Sequence, residues 1–225
     1  MEQSRRVIKS YVLRQGRLTR GQQQALERLW GVYGVDYSEE PLDFDTLYER
    51  AAPLILEIGF GNGESLLQQA ASNPDNNYLG IEVHRPGVGR LLGLAEKAGI
   101  SNLRVINHDA VEVLQQQIPD LSLDRVQLFF PDPWQKKRHH KRRIVNADFA
   151  RLVYRKLKPG GLFHLATDWQ DYAGHMLAVM EQAGGFSNTA GEALYAKNTG
   201  RPSTKFEQRG QGLGHGVWDL VYRKD

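Results

Sequence analysis

LILEIGFGNGESLLQQAA, residues Leu54 to Ala71, is a short apolar run that ends in alternating glycines and passes directly into a segment of helical period. A strand, a tight turn and a helix in that order make the first half of a βαβ unit. The pattern then repeats: YLGIEV with GVGRLLGLAEKAG, LRVINHD with AVEVLQQQ, RVQLFF with FARLVYRKL, and finally GLFHLATD. Strands that read as near-continuous apolar runs between helical segments imply a doubly wound, mainly parallel sheet with both faces covered. A further helix is predicted near Tyr172 to Ala183. GVWDLVYRK then reads as a last strand, reached through a glycine-rich polar segment from Asn198 to Gly216.

The chain has 225 residues, 40% hydrophobic and 24% charged, which suits one core in a single domain. No apolar run approaches the roughly 18 residues that span a bilayer. The first residues lack the apolar stretch and small-residue site of a secretory signal, so a soluble, cytoplasmic protein is expected. With no cysteine there is no disulfide, thiolate metal site or cysteine nucleophile. The formal charge is +3, yet six of the 29 Lys and Arg lie between Lys136 and Arg143, leaving 23 against 26 acids elsewhere. The basicity is therefore a local patch. Residues 3–26 also carry basic side chains and no acid, and acids follow from Asp36 to Asp45. We read 1–34 as a basic arm facing RNA or solvent, and 35–225 as the domain.

Gly59, Gly61 and Gly63 form G-x-G-x-G, which differs from the G-x-G-x-x-G dinucleotide fingerprint and lacks the Gly-Lys-Ser/Thr of a P-loop. Glycine there lets a ligand approach the backbone; a tight turn without ligand is the competing reading. The acids add weight. Glu57 lies in the first strand, Glu82 ends the second, Asp109 ends the third and Asp132 follows the fourth. An acid about 20 residues past the glycine turn suits a ribose diol, and a carboxylate after the third strand can accept from an adenine amino group. Four carboxylates at one rim repel the pyrophosphate of a nicotinamide dinucleotide and favour a sulfonium, so the expected cofactor is S-adenosylmethionine. Each acid alone could instead cap a helix, Asp109 before AVEVL in particular.

FFPDPWQKKRHHKRR, Phe129 to Arg143, sets Asp132 between two prolines ahead of a cationic run. The prolines stiffen the turn and hold Asp132 at a set angle. The run can neutralise several phosphates, which supplies affinity without sequence readout. Trp134 either stacks on a flipped base or packs under the loop. His139 and His140 are adjacent and so point apart, and no metal site is expected.

EIGFGNG, GIEVHRPG, FPDPWQKKRHHKRR, ATDW and TKFEQRG together resemble the bacterial tRNA (guanine-N(7)-)-methyltransferases, from about Leu54 to the C-terminus. The resemblance implies a Rossmann-like class I S-adenosylmethionine-dependent methyltransferase fold whose C-terminal strand is antiparallel. It implies methylation of a tRNA guanine, the variable-loop guanine at position 46; a monomer and a homodimer both stay open, since periodicity marks no conspicuous apolar surface. By this resemblance Glu57, Glu82, Asp109 and Asp132 contact the cofactor, and Asp132 is the catalytic residue. Lys136, Asp168, Thr204, Lys205, Phe206 and Glu207 would hold the substrate, and Arg138, His139, His140, Lys141, Arg142 and Arg143 would touch RNA. Guanine N(7) has a lone pair and no proton, so carboxylates near the base act on charge, not as obligatory bases. Other readings are a related methyltransferase with another substrate, a non-catalytic RNA-binding module and a nicotinamide-dependent oxidoreductase.

Overall fold

A computed structural model describes residues 8–12, 16–202, 207 and 216–225. Among the described residues, seven strands form one sheet: β1 (Leu54–Ile58), β2 (Asn77–Ile81), β3 (Leu103–Ile106), β4 (Leu123–Phe129), β5 (Leu157–Thr167), β6 (Phe186–Asn188) and β7 (Trp218–Lys224). Their order is β3-β2-β1-β4-β5-β7-β6. The first five strands run parallel, and β7 runs antiparallel between β5 and β6. This is the doubly wound sheet that the repeating pattern predicts. The short edge strand β6 is not legible in the sequence, because three residues, an exposed Ser187 between half-buried Phe186 and Asn188, are too few to establish a period.

Among the described residues the helices named are α1 (Arg20–Tyr33), α2 (Phe44–Tyr48), α3 (Glu64–Ser72), α4 (Arg85–Lys97), α5 (Ala110–Gln116), α6 (Ala147–Lys156) and α7 (Gln170–Glu181). All five residues of β1 are buried, and successive side chains enter different cores. Leu54, Leu56 and Ile58 join the apolar cluster that includes α5, α6 and α7, whereas Ile55 joins the one that includes α1, α3 and α4. Period-two alternation therefore puts Glu57 on the same face as Ile55.

Part of the basic N-terminal stretch shares the second core. Thr19 accepts from the Gln22 backbone N–H while the Gln22 side chain accepts from the Thr19 N–H, a reciprocal cap that starts α1. Ala25, Leu26, Leu29 and Tyr33 then form a buried stripe, and the helix lies along α4. The chain leaves α1 by pairing Gly34 and Val35 with the backbone of Val105 in β3.

Strand order reverses between β1 and β4, and the crevice at that switch point is where ligands bind on such sheets. The glycine turn leaves β1, and the Pro131–Pro133 turn leaves β4, so both face the same opening.

Candidate functional site

A cavity of about 370 Å³ lies at this opening. Gly59 and Gly61 form one wall, Glu82 and His84 follow β2, His108 and Asp109 follow β3, and Phe130, Pro131 and Asp132 follow β4. Of the predicted cofactor residues, the fold thus gathers Gly59, Gly61, Glu82, Asp109 and Asp132. Gly61 has φ +59°, and a Cβ placed there would meet no protein atom within 4 Å. Its bare backbone faces open space, the form of a cradle that a ligand occupies.

Gly63 has a different job. A Cβ at Gly63 would lie 2.7–2.9 Å from Leu91, so this glycine permits α3 to pack on α4. It does not line the cavity.

Glu82 is buried, and its two oxygens accept from the N–H groups of Gly61 at 2.7 Å and His84 at 2.8 Å. Burial raises its pKa, and the amide hydrogen bonds oppose that rise. Each carboxylate oxygen retains a second lone pair, which suits a ribose diol. Asp109 caps α5 through the Val111 N–H at 2.9 Å, and its other oxygen accepts from Lys9 Nζ at 2.8 Å. Capping and ligand binding are compatible here, because they use different lone pairs.

Glu57, expected at the cofactor, is not among the residues that line this cavity. Its carboxyl is buried on the opposite face of β1, where it accepts from Gln69 Nε2 at 3.3 Å. Gln69 Oε1 in turn accepts from Gln127 Nε2 at 2.8 Å. Burial pushes the Glu57 carboxyl up to about 8, the neighbouring Glu82 adds to the rise, and the Gln69 amide opposes it. Ile58, the next residue, lines the cavity in its place. The strand's alternation forbids both from facing one way.

Asp132 is exposed and stands between two concavities. It lines the cofactor-sized cavity, and with Val12, Pro133, Trp134, Gln135, Lys136 and His139 it also lines a second one of about 510 Å³. Among the described residues it makes no hydrogen bond or ion pair. The same is true of Asp168, half-buried after β5. The cap position of α7 belongs to Trp169 and carries no side-chain cap bond, so the capping alternative for Asp168 is not realised.

The loop that carries Asp132 is held under strain. Phe130 has φ +51° and Trp134 φ +47°, left-handed values that cost a non-glycine residue about 1–3 kcal/mol. Compensating contacts hold it. Phe130 N–H donates to the Ala166 carbonyl at 2.8 Å, and Trp134 Nε1 donates to the Ser10 carbonyl at 3.0 Å. The Arg142 guanidinium lies 4.2 Å from the Trp134 ring centroid, and the half-buried indole also lines the second concavity.

The cationic run forms a 3-10 helix, Lys137–Arg142, directly after Lys136. Lys136, Lys137, Arg138 and Lys141 are exposed, whereas His139, His140 and Arg142 are half-buried. Burial, and then the surrounding cations Arg138, Arg142, Lys136 and Lys141, lower the pKa of His139. Arg143, expected to touch RNA, is placed differently from its neighbours in the run. It is 4% exposed, donates from Nε to the Pro133 carbonyl at 2.9 Å and pairs with Asp171. A guanidinium used in this way holds the loop.

Ser10, Tyr11, Val12, His84, His108, Phe130 and Ile144 also line the cavity, and sequence reasoning missed them. No spacing rule links Ser10–Val12 to a site formed by residues 59–144. Lys9 and Arg142 make the connection: Lys9 pairs with Asp109 and Glu112, and Arg142 donates to the Lys9 and Tyr11 carbonyls. Of the predicted substrate residues, Thr204, Lys205 and Phe206 lie outside the described residues. Glu207 is described, and it pairs with Arg201 at 2.5 Å.

The methyltransferase family model Methyltransf_4 matches residues 51–220. The chain is 61% identical over 220 residues to a tRNA (guanine-N(7)-)-methyltransferase of Sodalis glossinidius, covering 97% of this chain and 92% of that protein. Proteins of the same name from Yersinia enterocolitica and Shewanella amazonensis are 61% and 58% identical, with the same coverage. Among solved structures, the 16S rRNA methyltransferase KamB superposes with a TM-score of 0.60 at 15% identity, over 83% of this chain and 95% of that one. A precorrin-6y C5,15-methyltransferase from Geobacter metallireducens gives 0.53 at 15% identity, over 91% and 87%. These two likenesses concern the fold.

Proposed function

The chain belongs to the tRNA (guanine-N(7)-)-methyltransferase family, and from that premise we propose that it methylates N(7) of the variable-loop guanine at tRNA position 46, with Asp132 at the point of transfer. The observation that carries this reading is the position of Asp132, on the shared rim of the cofactor cavity and the basic-edged concavity beside it.

The cavity fits S-adenosylmethionine. The open glycine backbone at Gly59 and Gly61 admits a chain or ribose, Glu82 offers acceptors to a diol, and Asp109 can accept from an adenine amino group. Glu82, Asp109 and Asp132 place carboxylates around the wall, an environment that suits a sulfonium and opposes a pyrophosphate. When bound, S-adenosylmethionine supplies an electrophilic methyl group on a cationic sulfur.

The chain's own residues then orient and stabilise. Guanine N(7) carries no proton, so Asp132 need not remove one. Positive charge develops on the purine, and the carboxylates of Asp132, Asp168 and Glu207 are the groups to oppose it electrostatically. The exposed cations Lys136, Lys137, Arg138 and Lys141 hold backbone phosphates and bring the base to Asp132.

The test is transfer of labelled methyl from S-adenosylmethionine to unmodified tRNA, with the product nucleosides identified. Wild type is expected to form 7-methylguanosine, and Asp132→Ala to lose it while still binding tRNA. A transcript with adenine in place of the variable-loop guanine should take no label. Label retained on that transcript would move the target elsewhere, and tRNA binding without any transfer would leave an RNA-binding module.

A further inference from the structure

Glu207 is held in place by a buried series of polar groups that neither the cofactor cavity nor the cationic run explains. Asp219 on β7 accepts from Arg201 Nε at 2.7 Å and from Arg201 Nη2 at 3.0 Å, a two-pronged pairing. The remaining Nη1 donates to Glu207 at 2.5 Å. On the far side, His164 on β5 lies 2.7 Å from Asp219 Oδ1, and its ring meets Phe129 edge-on with centroids 4.9 Å apart. The side chains of Arg201, Asp219 and Glu207 are 5%, 13% and 12% exposed, so an anchored guanidinium, not a surface ion pair, fixes Glu207.

The series also reaches the reaction centre. The Arg201 guanidinium lies 5.6 Å from the Phe129 ring centroid and 5.3 Å from that of Phe130. Both residues line the cofactor cavity, and Phe130 stands two residues before Asp132. Burial alone would raise the pKa of Asp219, but hydrogen bonds from His164 and Arg201 outweigh it and hold the group below its ordinary value. Asp219 therefore stays ionised as an anchor.

We propose that Arg201, beside Phe129 and Phe130, is a positioning residue for the methylation reaction, which grips Asp219 with one edge of its fork and fixes the Glu207 carboxylate with the other. The role assigned to Glu207 rests on the proposed function: it accepts from the N–H groups of the guanine Watson–Crick edge. Lysine cannot replace this arginine, because a single ammonium lacks the planar fork that serves two carboxylates in fixed directions.

The test compares wild type, Arg201→Lys, Glu207→Gln and the double variant on two tRNA transcripts. One carries guanine at the target, and the other carries inosine, which keeps N(7) but lacks the exocyclic amine. Glu207→Gln is expected to reduce the preference for guanine in kcat/KM by about ten- to a hundred-fold, the worth of a hydrogen bond to a charged group. Arg201→Lys should reproduce that reduction and add nothing in the double variant. Asp219→Asn, which removes the anchor without touching Glu207, should do the same and serves if the lysine variant does not fold. Equal losses on both transcripts, adding fully to those of Glu207→Gln, would overturn the proposal. If Glu207→Gln leaves the guanine preference intact while the two single losses still fail to add, Arg201 does position Glu207, and the reading of Glu207 as guanine acceptor is what falls.

Discussion

Arg143 Nε donates to the carbonyl of Pro133 at 2.9 Å, and this one bond ties the end of the cationic run to the turn that carries Asp132. The same guanidinium pairs with Asp171 at the start of α7 and lies 4.8 Å from the Tyr172 ring centroid. A residue that reads as one more phosphate ligand is thereby a brace between the loop and the core.

Arg143→Ala should therefore lose stability, by about 1.5–3 kcal/mol for the loss of a hydrogen bond from a charged group. Its kcat should fall by roughly ten- to a hundred-fold as Asp132 loses its set position. The salt dependence of tRNA binding should not change. Urea unfolding and single-turnover methylation read the first two effects; a shallower salt slope would restore Arg143 to the RNA-binding surface.

Lys137, Arg138 and Lys141 are exposed and should behave in the opposite way. Replacing all three by alanine is expected to lower the slope of log K against log salt by roughly 0.7–0.9 for each phosphate that is no longer neutralised. At saturating tRNA the kcat should remain near wild type. Binding titrations from low to high salt decide it, and an unchanged slope would place the RNA elsewhere.

Gly61 and Gly63 share a left-handed backbone but differ in what surrounds them. Gly61→Ala carries only the conformational cost of about 1–2 kcal/mol and should act mainly by weakening S-adenosylmethionine binding. Gly63→Ala adds a clash with Leu91 and should lower stability by about 1–3 kcal/mol more. Calorimetric cofactor titration beside thermal unfolding separates the two. Equal loss of stability in both variants would remove the distinction.

Glu57 makes stability depend on pH. Its ordinary pKa of 4.5 rises to about 8 in the fold, so the native state keeps a proton that the unfolded chain releases. The stability present below 4.5 is then lost progressively as pH rises to about 8 and is level beyond it, with a cost of about 1.4 kcal/mol per pKa unit. Glu57→Gln should flatten that part of the profile. Urea midpoints of both proteins across this range are the measurement, and parallel profiles would mean that Glu57 is ionised in the native state.

The repeating apolar runs and the glycine turn at Gly59–Gly63 were enough to determine the parallel sheet and the rim on which Glu82, Asp109 and Asp132 meet. These features are local, and a strand's carboxyl end can be read from its own residues. Which way a side chain faces is set by pairing and pleat, so Glu57 could be read as a rim acid although β1 turns it toward Gln69. Burial separates Arg143 from the identical-looking Arg142 beside it, and depends on α7, far along the chain. The site's remaining walls and braces, Ser10–Val12 and the His164–Asp219–Arg201 series, join residues with no shared period or motif. Only the folded chain brings them together, because hydrogen bonds between distant segments leave no pattern in sequence.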